Sequence, residues 1–334
     1  MIRARSRWGP KVHRRSVLGA AACLSVGAFG AEVRSTGSAR IGLLGFGTPS
    51  GEPSQINAFR AGLRELGWTE GQNALIEYRW AEDHLERLPT LVSELVQARV
   101  DVLLVTGSLG IRAARAVTRT VPVVFIVLVD PVAIGVAKSF AHPGGNMTGL
   151  ASQFDLLITK QLQLLREALP GLSRVALLKY NGDTTTTMTA AEAAARGLGL
   201  QALSIGVSDV NEFETAFRSA RNEHAGAAQV LPSPFFDAHR VRLIELAAQY
   251  RLPAFYEFRN YVRDGGLMSY GPSIDEMFHR AASYVDRILR GADPGDLPIE
   301  RPPKFEFVVN MKTAAALGLA LPQSLLLQVD ELIS

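Results

Sequence analysis

Among 334 residues there is one cysteine, Cys23, and it stands within the first thirty positions. A chain that loses that segment has no thiol, which excludes a disulfide framework, thiolate metal ligands and a cysteine nucleophile together. Histidine is also sparse. His13, His84, His142, His224, His239 and His279 are scattered, and no two stand at the helical spacing of a metal-ligand pair, so no metal is expected. No Gly-x-Ser-x-Gly, no phosphate-cradling Walker loop and no spaced carboxylate pair occurs, so the common routes to an enzyme find no support. Gly45-Phe46-Gly47 approaches a dinucleotide fingerprint, but Ser50 stands where the third glycine belongs, and Glu77 lies inside an apolar run. A tight strand-to-loop turn is the better reading, and no cofactor is expected.

A lasting excess of positive charge is missing too. The formal charge is +3, yet Arg3, Arg5, Arg7, Lys11, Arg14 and Arg15 precede the first acid, and from residue 16 onward 29 basic side chains face 32 acidic ones. A nucleic-acid partner is therefore not expected. The basic start runs into Val17 to Ala31, which carries no charge and is too short for a comfortable membrane span. Residues 1–31 read as a signal peptide, and the expected location is periplasmic or secreted after its removal. Arg14-Arg15-Ser16-Val17-Leu18 fits a twin-arginine signal, with the general secretory route as the alternative. Lipid attachment at Cys23 fits poorly, because only Val17 to Ala22 would precede it as an apolar core.

What the chain has in abundance is alternation of apolar runs with amphipathic stretches. Strands are expected near 41–46, 74–80, 101–105, 121–127, 174–178, 201–205, 227–231, 254–256 and 305–309. Helices are expected between them, including one over Val132 to Ala141. Asp101 to Ile126 and Ala227 to Tyr256 repeat one pattern: strand, Ser-bearing turn, helix, and a strand started by Pro122 or Pro253. The implied fold class is α/β, with two Rossmann-like lobes of parallel sheet. His142-Pro-Gly-Gly-Asn-Met-Thr-Gly149, Gly265 to Gly271 and Asp293 to Pro303 read as three crossings that form a hinge. That divides the chain into lobe 1, residues 39–149 plus 271–297, and lobe 2, residues 150–270 plus 298–334.

Ligands bind parallel sheets beyond the carboxyl ends of their strands. The residues expected there are Thr48, Ser50, Thr106, Gly107, Ser108, Asp130, Tyr180, Asn181, Ser233, Tyr256 and Glu257, with Phe154 and Tyr270 as further aromatic walls. Thr106, Gly107 and Ser108 suit a carboxylate, since hydroxyls and backbone N–H groups converge where a strand meets a helix. Asp130 or Glu257 suits an ammonium, although Asp130 also precedes Pro131 as a helix cap would.

Several stretches together resemble a known family. Gly71 to Ala81, Asp130-Pro131, His142 to Gly149, Pro253-Ala-Phe-Tyr-Glu-Phe-Arg259 and Gly265-Gly-Leu-Met-Ser-Tyr-Gly271 are similar to ABC-transporter substrate-binding proteins related to the tryptophan and tyrosine importers' receptors. The resemblance runs from about Ile41 to Ile333. It implies a type I periplasmic binding fold and a small organic ligand clamped between lobes, an amino acid or related carboxylate. It also implies delivery of this ligand to an ABC permease in the inner membrane, and a monomer is expected. Asn181 to Thr187 departs from the Asn-Pro-rich loop of the group. A ligand-sensing domain of a signalling system and an enzyme on the same fold are the alternatives; turnover of a candidate ligand would favour the enzyme, and stoichiometric binding would count against it.

Overall fold

The structure, a computed structural model, describes residues 38–48, 53–82, 84–152, 154–182, 185–302 and 304–334. The expected leader and Ser50 lie outside the described residues. The first sheet comprises β1 (Ala39–Gly45), β2 (Ala74–Trp80), β3 (Val102–Thr106), β4 (Val123–Val127) and β5 (Met147–Ala151) in the order β2-β1-β3-β4-β5. All its pairings are parallel. β3 and β4 read as unbroken apolar runs because helices cover both faces. Those helices are α1 (Pro53–Glu65), α2 (Leu88–Gln97) and α3 (Gly107–Val117). On α2, Leu88, Leu91, Val92 and Leu95 fall on one stripe and are buried.

The second sheet takes up β6 (Arg174–Tyr180), β7 (Gln201–Val207), β8 (Ala227–Val230), β9 (Ala254–Tyr256), β10 (Met268–Pro272), β11 (Phe305–Asn310) and β12 (Glu331–Ile333). Its order is β12-β11-β10-β9-β8-β6-β7. The β10–β11 pairing is antiparallel and the others are parallel. Between these strands run α4 (Phe154–Ala168), α5 (Thr185–Gly197), α6 (Phe213–Asn222), α7 (Pro234–Ala238), α8 (Arg240–Gln249) and α9 (Arg259–Arg263). Then α10 (Ile274–Leu289) returns to the first sheet and packs along α1. Ser273 starts α10 by accepting from the backbone N–H of Glu276, the first half of a capping box. α11 (Met311–Ala316) and α12 (Gln323–Leu326) close the chain against the second sheet. Among the described residues no helix is long and apolar enough to cross a membrane.

Three expectations need correction. Val132 to Ala141 is not a helix: after one turn, in which Ile134 N–H donates to Asp130 O, Gly135 takes φ +69° and ends it. The His142 to Gly149 stretch is not a crossing either. Its glycines lie at the base of the first lobe, where Gly144 N–H donates to Gly295 O, and Met147 to Ala151 then runs as a full strand beside β4. The passages between sheets fall after Ala151, between Pro272 and Ile274, and between Glu300 and Phe305. Residues 265–271 likewise lead into and join β10 of the second sheet rather than crossing.

Candidate functional site: a cleft between two strand-to-helix turns

The duplicated pattern brings two turns face to face. β3 passes straight into α3 at Thr106, and Gly107 holds φ +71°, a backbone that side chains disfavour. Thr106 makes no side-chain cap, so the first N–H groups of α3 open toward the cleft. Opposite them, β8 leads to Ser233, whose hydroxyl accepts from Phe235 N–H and caps α7. The banks touch: a methyl group placed on Gly107 would lie 2.8 Å from Pro234 Cγ.

Between the turns lies a cavity of about 80 Å³. Thr106, Gly107, Ser108, Ile126, Val127, Leu128 and Val129 form the first-lobe wall, with Gln55 at the start of α1. Thr187, Pro232, Ser233, Pro234, Asp237 and Phe258 form the second-lobe wall, and Ile274 and Phe278 of α10 complete it. The wall is mostly apolar, and among the described residues Asp237 is its one ionisable group. This carboxylate is 8% exposed; Asn260 Nδ2 donates to Oδ1 at 2.8 Å and Gln55 Nε2 donates to Oδ2 at 3.3 Å. Burial pushes its pKa up from the ordinary carboxylate range, while the Arg240 guanidinium and the Asn260 amide oppose that shift. The Gln55 bond spans the lobes, since α1 packs on the first sheet and α7 follows β8 of the second. A second bridge lies at the rim, where Phe46 at the end of β1 meets Tyr180 and Phe235 edge-on at 6.2 and 6.4 Å.

A family model for ABC transporter substrate-binding proteins matches residues 51–333. The chain belongs to that family. It is 23% identical over 267 residues to the tyrosine-binding protein of Clostridioides difficile (strain R20291), covering 78% of this chain and 75% of that one. Among solved structures, an ABC domain in complex with L-Trp from Streptococcus pneumonia superposes with TM-score 0.81 at 21% identity, covering 89% of this chain and all of the other. A ligand-free, open substrate-binding protein with adhesive properties from Clostridium difficile gives TM-score 0.62 at 19% identity, covering 89% of this chain and 99% of the other. These likenesses establish the type I periplasmic-binding fold.

Of the residues expected at the site, this substrate-binding protein brings Thr106, Gly107, Ser108 and Ser233 together on the cavity wall. Thr48 sits beyond β1 and does not line it, and the Phe154 side chain lies outside what is described. Asp130 Oδ1 accepts from Val132 and Ala133 N–H at 2.8 and 3.2 Å, which gives it the capping role. Tyr180 stacks on Phe235 at 4.2 Å within the rim cluster. Asn181 turns to the edge strand and donates to Ser208 Oγ at 2.9 Å.

The end of β9 at Tyr256 accounts for the remaining departures. Tyr256, the last residue of β9, lines a separate crevice, Glu257 turns to the opposite, α4 face, and Phe258, past the end of the strand, lines the cleft. Glu257 is 3% exposed, and burial pushes its pKa up to about 8 despite a 3.5 Å hydrogen bond from Gln161 Nε2. Tyr270 packs beside Phe305 and Phe307 on that same outer face. The sequence pattern misses Asp237 because it starts the helix after β8 only at His239; α7 starts at Pro234, which puts Asp237, four places after the capping Ser233, on the same helical face as that serine. α7 ends at Ala238, and Asp237 in its last turn lines the wall. An acid directly after Phe235-Phe236 was the available signal.

Proposed function

We propose that the protein is an exported solute-binding protein whose cleft captures a small zwitterion, an amino acid with an apolar side chain, and delivers it to an ABC importer. The opposed polarity of the two banks carries this reading. The uncapped start of α3 at Thr106, Gly107 and Ser108 offers N–H donors and a positive dipole end to a carboxylate. Asp237, buried and without a cation among its fellow wall residues, offers a partner to an ammonium. Ile126 to Val129, Phe258, Ile274 and Phe278 take the side chain by burial. Purely anionic ligands are disfavoured, because they would meet the Asp237 carboxylate, while Arg240, the cation that acts on it, does not line the cavity. The aromatic-amino-acid relatives support an amino-acid ligand.

Capture rests on closure of the two lobes about their three connecting segments, and the contacts of Gly107 with Pro234 and Phe46 with Tyr180 belong to the closed arrangement. Export rests on the basic start and apolar run of residues 1–31. The test is a thermal-stabilisation screen of the protein lacking those residues, using amino acids, the matching amines and the matching carboxylic acids. Amino acids should stabilise it and the single-charge analogues should not. Stabilisation by the acids alone would remove Asp237 from the reading.

A further inference from the structure

A second crevice, of about 290 Å³, opens in the second lobe where α8, α11 and the beginnings of β9 and β10 meet, and it shares no wall residue with the cleft. Its walls are apolar: Ile244, Ala247, Leu252, Ala254, Leu267 and Leu317. Two cations stand on it, Arg251 just past the end of α8 and Lys312 in the first turn of α11, and among the described residues no acid lines it. Both side chains are exposed, and neither has an ion-pair partner among the described residues. Tyr256, which does not line the cleft, belongs to this wall; its hydroxyl is buried and has no hydrogen-bond partner among the described residues.

An apolar hollow flanked by two unpaired cations selects for one chemistry. The walls gain by covering hydrocarbon, and the cations gain only from a negative group held beside that hydrocarbon. We propose that this crevice is a second binding site, for a small amphipathic anion: a carboxylate carried on a hydrocarbon body, with Arg251 and Lys312 taking the charge and the Ile244–Leu267 wall taking the body. Its polarity is the reverse of the cleft's acidic second-lobe bank, so the crevice and that bank favour groups of opposite charge.

Hexanoate, hexylammonium and acetate separate the contributions. Titration followed by backbone amide shifts should move Gly265, Gly266, Thr313 and Ala316 with hexanoate, and affinity for the other two probes should be about tenfold weaker or worse. Replacing both cations, Arg251→Gln with Lys312→Gln, should weaken hexanoate about tenfold and leave the melting temperature unchanged, because both side chains are solvent-exposed. Raising salt to about 0.5 M should weaken hexanoate in the wild-type protein and much less in the double variant. Asp237→Asn should leave the hexanoate response intact. Equal binding of hexylammonium, full binding by the double variant, shifts at Ser108 and Asp237 instead, or no shift at millimolar hexanoate would each overturn the proposal.

Discussion

The turn after β3 and the turn after β8 hold equivalent places in the two sheets, and both carry a serine at the mouth of the cleft, yet they offer a ligand opposite groups. The first runs from strand to helix without a side-chain cap, so the donors of α3 remain open. In the second, Ser233 uses its hydroxyl on Phe235 N–H, Pro234 removes a donor, and the short α7 turns Asp237 into the wall instead. Repetition of a fold unit thus set the two banks opposite each other, and differences of one or two residues gave them opposite polarity. A zwitterion fits such a pair, whereas two identical banks would favour an ion of one sign.

The largest expected effect breaks the acidic bank. Asp237→Asn retains an acceptor for Asn260 but removes the charge. Calorimetry with whichever amino acid the screen identifies should show a loss of about 2–3 kcal/mol, up to a hundredfold in Kd. The ligand-free melting temperature should hold or rise, because a buried carboxylate is costly.

Glu257 sharpens the contrast between two buried carboxyl groups, one on the cleft wall and one behind it. Its pKa is raised to about 8 from the ordinary 4.5, so the folded chain binds the extra proton between those values. Its contribution is fully present below the unfolded pKa and is lost as pH rises toward 8. Glu257→Gln should therefore stabilise the protein at pH 8 by about 2 kcal/mol, several degrees for a chain of this size, and change little near pH 4. Melting curves across that range check it, and ligand affinity should be unaffected.

On the donor bank, Gly107→Ala places a methyl group against Pro234 in a backbone conformation that costs about 1–2 kcal/mol. Affinity should fall about tenfold, and small-angle scattering at saturating ligand should stay closer to the ligand-free profile. Smaller again, Ser233→Ala should cost about 1 kcal/mol of stability as a lost cap. Ser108→Ala should lower affinity without that loss of stability. Asp130→Asn should change neither quantity, since asparagine accepts the same two N–H bonds. A clear loss of affinity there would return Asp130 to the site.

The local pattern of residues by itself determined the class of fold and one bank of the site. Apolar runs between amphipathic stretches mark covered parallel strands, and Thr106-Gly107-Ser108 after such a run announces an open helix start, because both signals depend only on neighbours in the chain. Tertiary structure decided what depends on distant partners. Asp130 and Glu257 are both acids near strand ends. One became a cap and the other a buried carboxyl behind the sheet because of what folded around them. Asp237 lines the cleft because the first lobe faces the side of α7 that it shares with Ser233, and Gln55, 182 residues away in sequence, reached Asp237 through packing of α1 at the cleft mouth. His142 to Gly149 had the composition of a crossing, yet it became a base loop and a fifth strand, because whether an extended segment pairs or passes on is settled by the neighbouring strand's free edge.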